Sequence, residues 1–205
     1  MVERKALLDS PAFLRQIGIL METTLTREAA HRMVLDKIGR NNLLKHVLAV
    51  EAGMRAVADR LGEDVEYWGL VGLIHDLDYH ETMDDHPRHT YLTHEWLDSY
   101  GLPDEAWHAI HAHPGHIPCQ TRLDWALYAV DPSTGFIVAC ALMHPDKKLA
   151  PIDEEFMLRR FREKRFAAGA TRENMAACSN LGLELGEFLL VVRSGMMTIA
   201  DELGL

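Results

Sequence analysis

The sequence predicts an all-α protein. Apolar residues recur at steps of three and four along several long segments. Capping residues open these segments and glycine or proline closes them, and no stretch alternates convincingly enough to be a strand. With 205 residues the chain is long enough for one sizeable core, so a single domain is expected.

The elements follow in chain order. "SPAFLRQIGILME" opens with Ser10 as a cap and Pro11 at the first helical position. Thr26 caps a second helix running to about Ile38, and Gly39 stops it. From Asn41 to Leu61, the residues Leu43, Val47, Val50, Met54, Val57 and Leu61 make one buried stripe. Residues 65–77 are apolar nearly all round, as in a helix at the middle of a core. Leu92, Trp96 and Leu97 mark a short helix, and Gly101-Leu102-Pro103 a turn. "PDEAWHAIHAH" begins with proline and two acids, which suits a helix N-terminus. Residues 121–131 and 133–143 form one or two helices, bent or broken at Pro132. "HPDKKLAPID" is a loop, 153–167 a basic amphipathic helix, and Thr171 the cap of a short helix through Ser179. The last helix carries Leu185, Leu189, Val192, Met196, Ile199 and Leu203 at four-three steps.

Composition narrows the function. A net charge of −10 argues against coating a nucleic-acid polymer, although a metal ion can supply positive charge locally for a small phosphorylated substrate. Runs such as "FIVACALM" are too short to cross a bilayer, and the N-terminus lacks a secretory apolar core, so no membrane partner and a cytoplasmic location are expected. Cys119, Cys140 and Cys178 have no paired spacing, so neither a disulfide framework nor a zinc-cysteine site is expected. Nothing in the sequence fixes the oligomeric state.

The chain holds twelve histidines, five of them in residues 75–94 and four in 108–116. His46 falls on the apolar stripe of its helix, three residues after Leu43 and four before Val50. His75 and Asp76 end the most apolar segment of the chain, where a buried histidine-acid pair needs a partner or a cation. Asp131 lies one turn after Leu127, on a helix whose other face carries Asp124 and Tyr128. His89 shares a face with Leu92, Trp96 and Leu97, whereas His94 points about 140° away by helix geometry. Periodicity does not choose between His111 and His113.

The order His46, His75-Asp76, Asp131 in an all-helical context resembles the H…HD…D pattern of the HD-domain superfamily of metal-dependent hydrolases. The segments "AVDPSTGFIVACALMHPDKKL" and "KRFAAGATRENM" look similar to an uncharacterised bacterial and archaeal branch of it. The resemblance implies an HD-type helical bundle. Residues 1–40 would give N-terminal helices packed on the core, 41–150 the metal-binding core, and 151–205 a C-terminal extension of the same domain. Dinuclear branches add two histidines, and His89 ("HTYLTHEWLDSYG") and His113 ("AIHAHP") fill those places. His80, His86, His108, His116 and His144 are left to the surface or rim.

The resemblance then implies one or two divalent transition metals held by His46, His75, Asp76, His89, His113 and Asp131, with Asp76 bridging. Iron, manganese, nickel, cobalt or zinc suit such donors better than magnesium. The implied activity is phosphohydrolysis of a small phosphorylated compound, in which Asp76 and Asp78 are the catalytic candidates. A di-iron oxygenase and a non-catalytic metal-stabilised module are the alternatives. Many dinuclear relatives carry a lysine where this chain has Tyr79. Lys147, Lys148 and Arg88 are the replacement candidates for substrate binding, while the basic run 159–165 suits a solvated helix face.

Overall fold

The computed structural model describes residues 23–39 and 41–205. The helix expected from Ser10 lies outside the described residues. Among those described there is no strand.

The first helix, α1 (Arg27–Lys37), starts where the Thr26 hydroxyl accepts the Ala29 N–H. Asn41 caps α2 (Asn42–Leu61) in the same way, accepting from Leu43 and Leu44, and Gly62 ends it at a φ of 72°. Val47, Val50, Met54 and Val57 of its stripe are wholly buried, while Leu43 and Leu61 at the ends are partly so. Asp64 caps α3 (Val65–Ile74). Gly72 lets α3 lie against α2, because a Cβ there would stand 2.9 Å from Met54 and 3.1 Å from the Val50 carbonyl oxygen.

The expected helix over 65–77 stops at Ile74. Side chains capture the backbone beyond it: the Asp78 N–H donates to Thr93 Oγ1 at 3.1 Å, and the Asp78 carboxylate accepts the Thr93 N–H at 3.0 Å. A short helix, α4 (Tyr79–Thr82), a 3-10 turn over His86–Arg88, and α5 (Tyr91–Leu97) follow. Next come α6 (Asp104–Ala112) and then α7 (Arg122–Met143), which begins in a capping box between Thr121 and Asp124. α7 runs unbroken through Pro132. The hydroxyls of Ser133 and Thr134 bond the carbonyls of Ala129 and Asp131 around that proline. By length and composition α7 could cross a membrane, yet 56% of its most apolar window is buried inside the protein. It is the central helix of the core.

The C-terminal part departs more from expectation. The helix expected over 153–167 is only α8 (Glu154–Phe161), because the chain after it folds round Arg172. That guanidinium donates to the carbonyls of Phe161, Phe166, Ala167 and Ala170 at 2.6–3.2 Å and lies over the Phe136 ring. The helix expected from Thr171 is α9 (Arg172–Ala176) followed by a 3-10 turn to Leu181, and Thr171 makes no side-chain cap. The last helix divides into α10 (Leu185–Met197) and α11 (Ala200–Leu203), where the Thr198 hydroxyl bonds the Gly195 carbonyl.

α2 packs against α3, α7 and α10, and α6, α8 and α9 pack against α7. The buried apolar residues form one cluster from Leu25 to Leu205. The ends of α3 and α6 and the middle of α7 converge on one side of α2, and that places the polar site.

Candidate metal centre

Each ligand candidate is delivered by a different piece of backbone. His46 stands in the second turn of α2, His75 caps the C-terminus of α3, and Asp76 follows in the turn. His89 follows the 3-10 turn, His113 caps α6, and Asp131 precedes Pro132 in α7. Their rings pack edge to face, with centroids 5.4 Å apart for His46–His75, 5.0 Å for His75–His113 and 5.3 Å for His89–His113.

The Asp76 carboxylate divides this set. Its Oδ1 lies 3.2 Å from His89 Nε2 and 3.3 Å from His113 Nε2. Its Oδ2 lies 3.5 Å from His75 Nε2 and 3.7 Å from His46 Nε2. Asp131 Oδ1 closes the second side, 3.1 Å from His46 Nε2 and 3.8 Å from His75 Nε2. Ligand atoms of His46, His75 and Asp131 fall within 4.8 Å of one another, and so do those of His75, Asp76 and His113.

The opposite ring nitrogens are tied outward. His75 Nδ1 donates to the Gly72 carbonyl at 2.8 Å, and His113 Nδ1 to the Ile110 carbonyl at 2.7 Å. His89 Nδ1 meets Asp78 Oδ1 at 2.9 Å, and His46 Nδ1 reaches Thr134 Oγ1 at 3.4 Å. The carbonyl acceptors fix the tautomers of His75 and His113 with Nε2 as the inward atom, and Asp78 and Thr134 hold His89 and His46 with Nε2 toward the carboxylates, which is how metal-binding imidazoles are held.

A cation fits this cluster. His75 is fully buried and its Nε2 has no hydrogen-bond partner, an arrangement that is costly unless something else takes the lone pair. Complete burial pushes the His75 imidazole down to about 4, only partly offset by Asp76. A neutral imidazole is the form that donates to a metal. Burial would raise the Asp76 carboxyl, but His75, His113 and His89 hold it well below the usual carboxylate range. Burial lowers the His89 imidazole, yet hydrogen bonds to Asp76 and Asp78 outweigh it and push the group up to about 9. Positive charge is thus stabilised between these carboxylates. The donor set of imidazole nitrogens and carboxylate oxygens suits a divalent transition metal.

A profile of the HD domain matches residues 43–134, a span that holds all six of these side chains. Residues 43–134 are an HD domain. The HD superfamily is one of metal-dependent phosphohydrolases, and His46, His75-Asp76 and Asp131, the residues that resemble its H…HD…D pattern, all lie within the matched span. Ribonuclease Y of Desulfotalea psychrophila is 32% identical over 94 residues, which make up 46% of this chain and 18% of that protein. The chain therefore spans less than a fifth of that relative's length. No solved structure matches it.

Other residues of the HD domain and its surroundings fall into place around the six. Asp78 is wholly buried, with Oδ1 on His89 and Oδ2 on Thr93, so it positions His89 from behind and is not a solvated helix-end acid. Thr90, next to His89, has a φ of 72°, a left-handed value that costs a β-branched residue on the order of 1–3 kcal/mol. Its hydroxyl meets His111 Nδ1 at 2.8 Å, and His111 in turn meets His94, which stacks on Trp107. Those contacts hold His111 and His94 apart from the cluster that His113 joins. Asp124, expected on the outer face of its helix, is buried. It accepts the Gln120 and Thr121 N–H groups at 2.8 Å, and His108 Nδ1 stands 2.8 Å away. The local capping box turns it inward.

Arg88, Lys147 and Lys148 are exposed, and among the described residues no hydrogen bond or ion pair joins them to the ligand cluster. Tyr79 is exposed as well, its ring 5.8 Å from that of His89. Sequence reasoning passed over Lys45. Its position just before His46 on the same helix was the available signal.

The Asp78–His89 contact carries a test. Replacing Asp78 by asparagine keeps the shape but removes the charge behind His89, so affinity for a divalent metal held through His89 should fall about 10- to 100-fold. Competition titration with a chelating dye measures this. Unchanged affinity would leave Asp78 a packing role only.

Proposed function

We propose that the protein hydrolyses a small phosphorylated compound, a phosphomonoester or phosphodiester such as a nucleotide, at a centre where Asp76 would help to hold each of two metal ions. The observation that supports this reading is the division of the Asp76 oxygens, one toward His89 and His113 and the other toward His46 and His75. His46, His75, Asp76 and Asp131 would hold one ion, and Asp76, His89 and His113 the other. Such ions polarise a phosphoryl oxygen and lower the pKa of a water.

The side chains do the rest by position. His75, Asp76, His89 and His113 are nearly inaccessible, whereas the His46 and Asp131 side chains are 24% and 29% exposed. Substrate therefore approaches along the His46–Asp131 edge. Water supplies the new oxygen–phosphorus bond, the ester oxygen leaves, and the proton of the water passes to it. Asp131 is the exposed carboxylate on that edge. The name of Ribonuclease Y points to RNA phosphodiesters. The net charge of −10 favours a small substrate for this chain.

The test is metal analysis of the purified protein followed by phosphate release from a panel of phosphomonoesters and phosphodiesters. We expect close to two transition-metal ions per chain, activity lost on chelation, and activity regained on adding manganese or zinc. Oxygen uptake with no phosphate release would overturn the hydrolase in favour of an oxygenase. Stable metal with neither activity would favour a binding module.

A further inference from the structure

Beside the metal centre, on its exposed edge, a cleft of about 490 Å³ opens between α2 and α7. α2 contributes Lys45, His46 and Ala49, and α7 contributes Gly135, Val138 and Leu142, with residues 203–205 closing the far wall. Asp131 and the three α7 residues follow steps of four, three and four, so a single stripe of α7 runs from the metal ligand into the cleft. His46 belongs to both places, facing Asp131 through Nε2 and lining the cleft.

We propose that this cleft seats the ester group of the substrate, and that this group is apolar. The inference rests on the hydrolase reading, because the phosphoryl end must lie at His46 and Asp131 for the rest of the molecule to extend along the α7 stripe. The walls are mostly apolar, with Asn42, Lys45, His46 and Thr134 as their polar members. Gly135 leaves open space, since a Cβ there would meet nothing within 4 Å. Leu142 on the rim is 54% exposed and extends the apolar surface to the mouth of the cleft. The volume falls in the range of small-molecule sites. Among the described residues, Lys45 is the cation lining this cleft. Its Nζ lies 2.8 Å from the Leu203 carbonyl, on the far wall of the cleft. It offers the charge that Tyr79 does not.

The experiment is calorimetric binding of ethyl, butyl and hexyl phosphonate to the metal-loaded protein, with hydrolysis of the matching alkyl phosphates in parallel. Affinity should rise by about threefold to fourfold per methylene in the wild type. It should stop rising in Gly135→Leu, whose side chain fills open space and so is compatible with folding. Lys45→Gln should weaken the whole series about equally, by roughly tenfold, as loss of a charged contact does. Metal content and the circular dichroism spectrum report whether each variant is folded. A flat chain-length series in the wild type, or the same slope in Gly135→Leu, overturns the apolar cleft. Hydrolysis with no chain-length dependence sinks the cleft and spares the hydrolase. A chain-length slope in binding with no ester cleaved sinks the hydrolase and spares the cleft.

Discussion

Asp76→Ala is expected to lose both metal ions and to cut phosphate release by at least about 10³-fold, the scale on which removing electrostatic stabilisation at a reacting centre acts. The two Asp76 carboxylate oxygens face the two halves of the cluster: Oδ1 faces His89 and His113, and Oδ2 faces His46 and His75. Alanine would leave four Nε2 atoms with Asp131 on one side and Asp78, behind His89, on the other as the remaining carboxylates. His113→Ala removes a ligand from one side only, so it should lower the stoichiometry from about two ions to about one. Metal analysis of the three proteins at equal concentration measures both effects. If Asp76→Ala retained its full metal content, every form of this site would be excluded. If His113→Ala lost both ions together, the centre would be a single cooperative unit.

The second large effect concerns stability. Gly195 in α10 faces α2, and a Cβ there would drive into the Ala52 carbonyl and crowd the Ala56 side chain, 2.9 Å away. Backbone cannot move aside as a flexible side chain can. Gly195→Ala must therefore push α10 off α2, and overpacking of this kind costs about 3 kcal/mol. For a domain of this size that is a drop in Tm of roughly 6–12 °C. Gly135 supplies the internal contrast. It is also helical, but a Cβ there meets nothing within 4 Å, so Gly135→Ala should be neutral or stabilising by about 0.5–1 kcal/mol. Urea unfolding of both variants is the measurement. Equal behaviour of the two would show that α10 can shift on α2 at little cost.

The sequence was most informative where a polar residue interrupts an apolar pattern. His46 on the α2 stripe and His75-Asp76 at the end of α3 stand out because burial makes such residues expensive. The all-helical class was legible for a similar reason, since four-three spacing survives whatever packs against it. Choosing His113 over His111 took the resemblance. The physical distinction, Thr90 and His94 engaging His111, joins three parts of the chain that no local pattern connects.

Asp78 was ambiguous because its burial depends on Thr93 and His89. The same contacts end α3 at Ile74, before the apolar run does. Asp124 was placed outside because helical periodicity ignores the capping box that turns it in. The end of α8 was illegible in the same sense, because Arg172, far along the chain, collects the carbonyls that would have continued it. In each case a hydrogen-bonding side chain overrides the placement that helical periodicity alone predicts.

The distribution of ligands along the backbone has a consequence for how the protein matures. His46 belongs to α2, and Asp131 comes only with α7, so a chain emerging from the ribosome holds no complete centre until most of it has been made. His75 and His113 have their tautomers set by carbonyls three residues away, bonds that can form as soon as each helix end does. The nascent chain thus prepares its imidazoles early and acquires its last carboxylate late. An ion held by both His46 and Asp131 would have to enter after α7 docks against α2, and would then fasten a structure already folded.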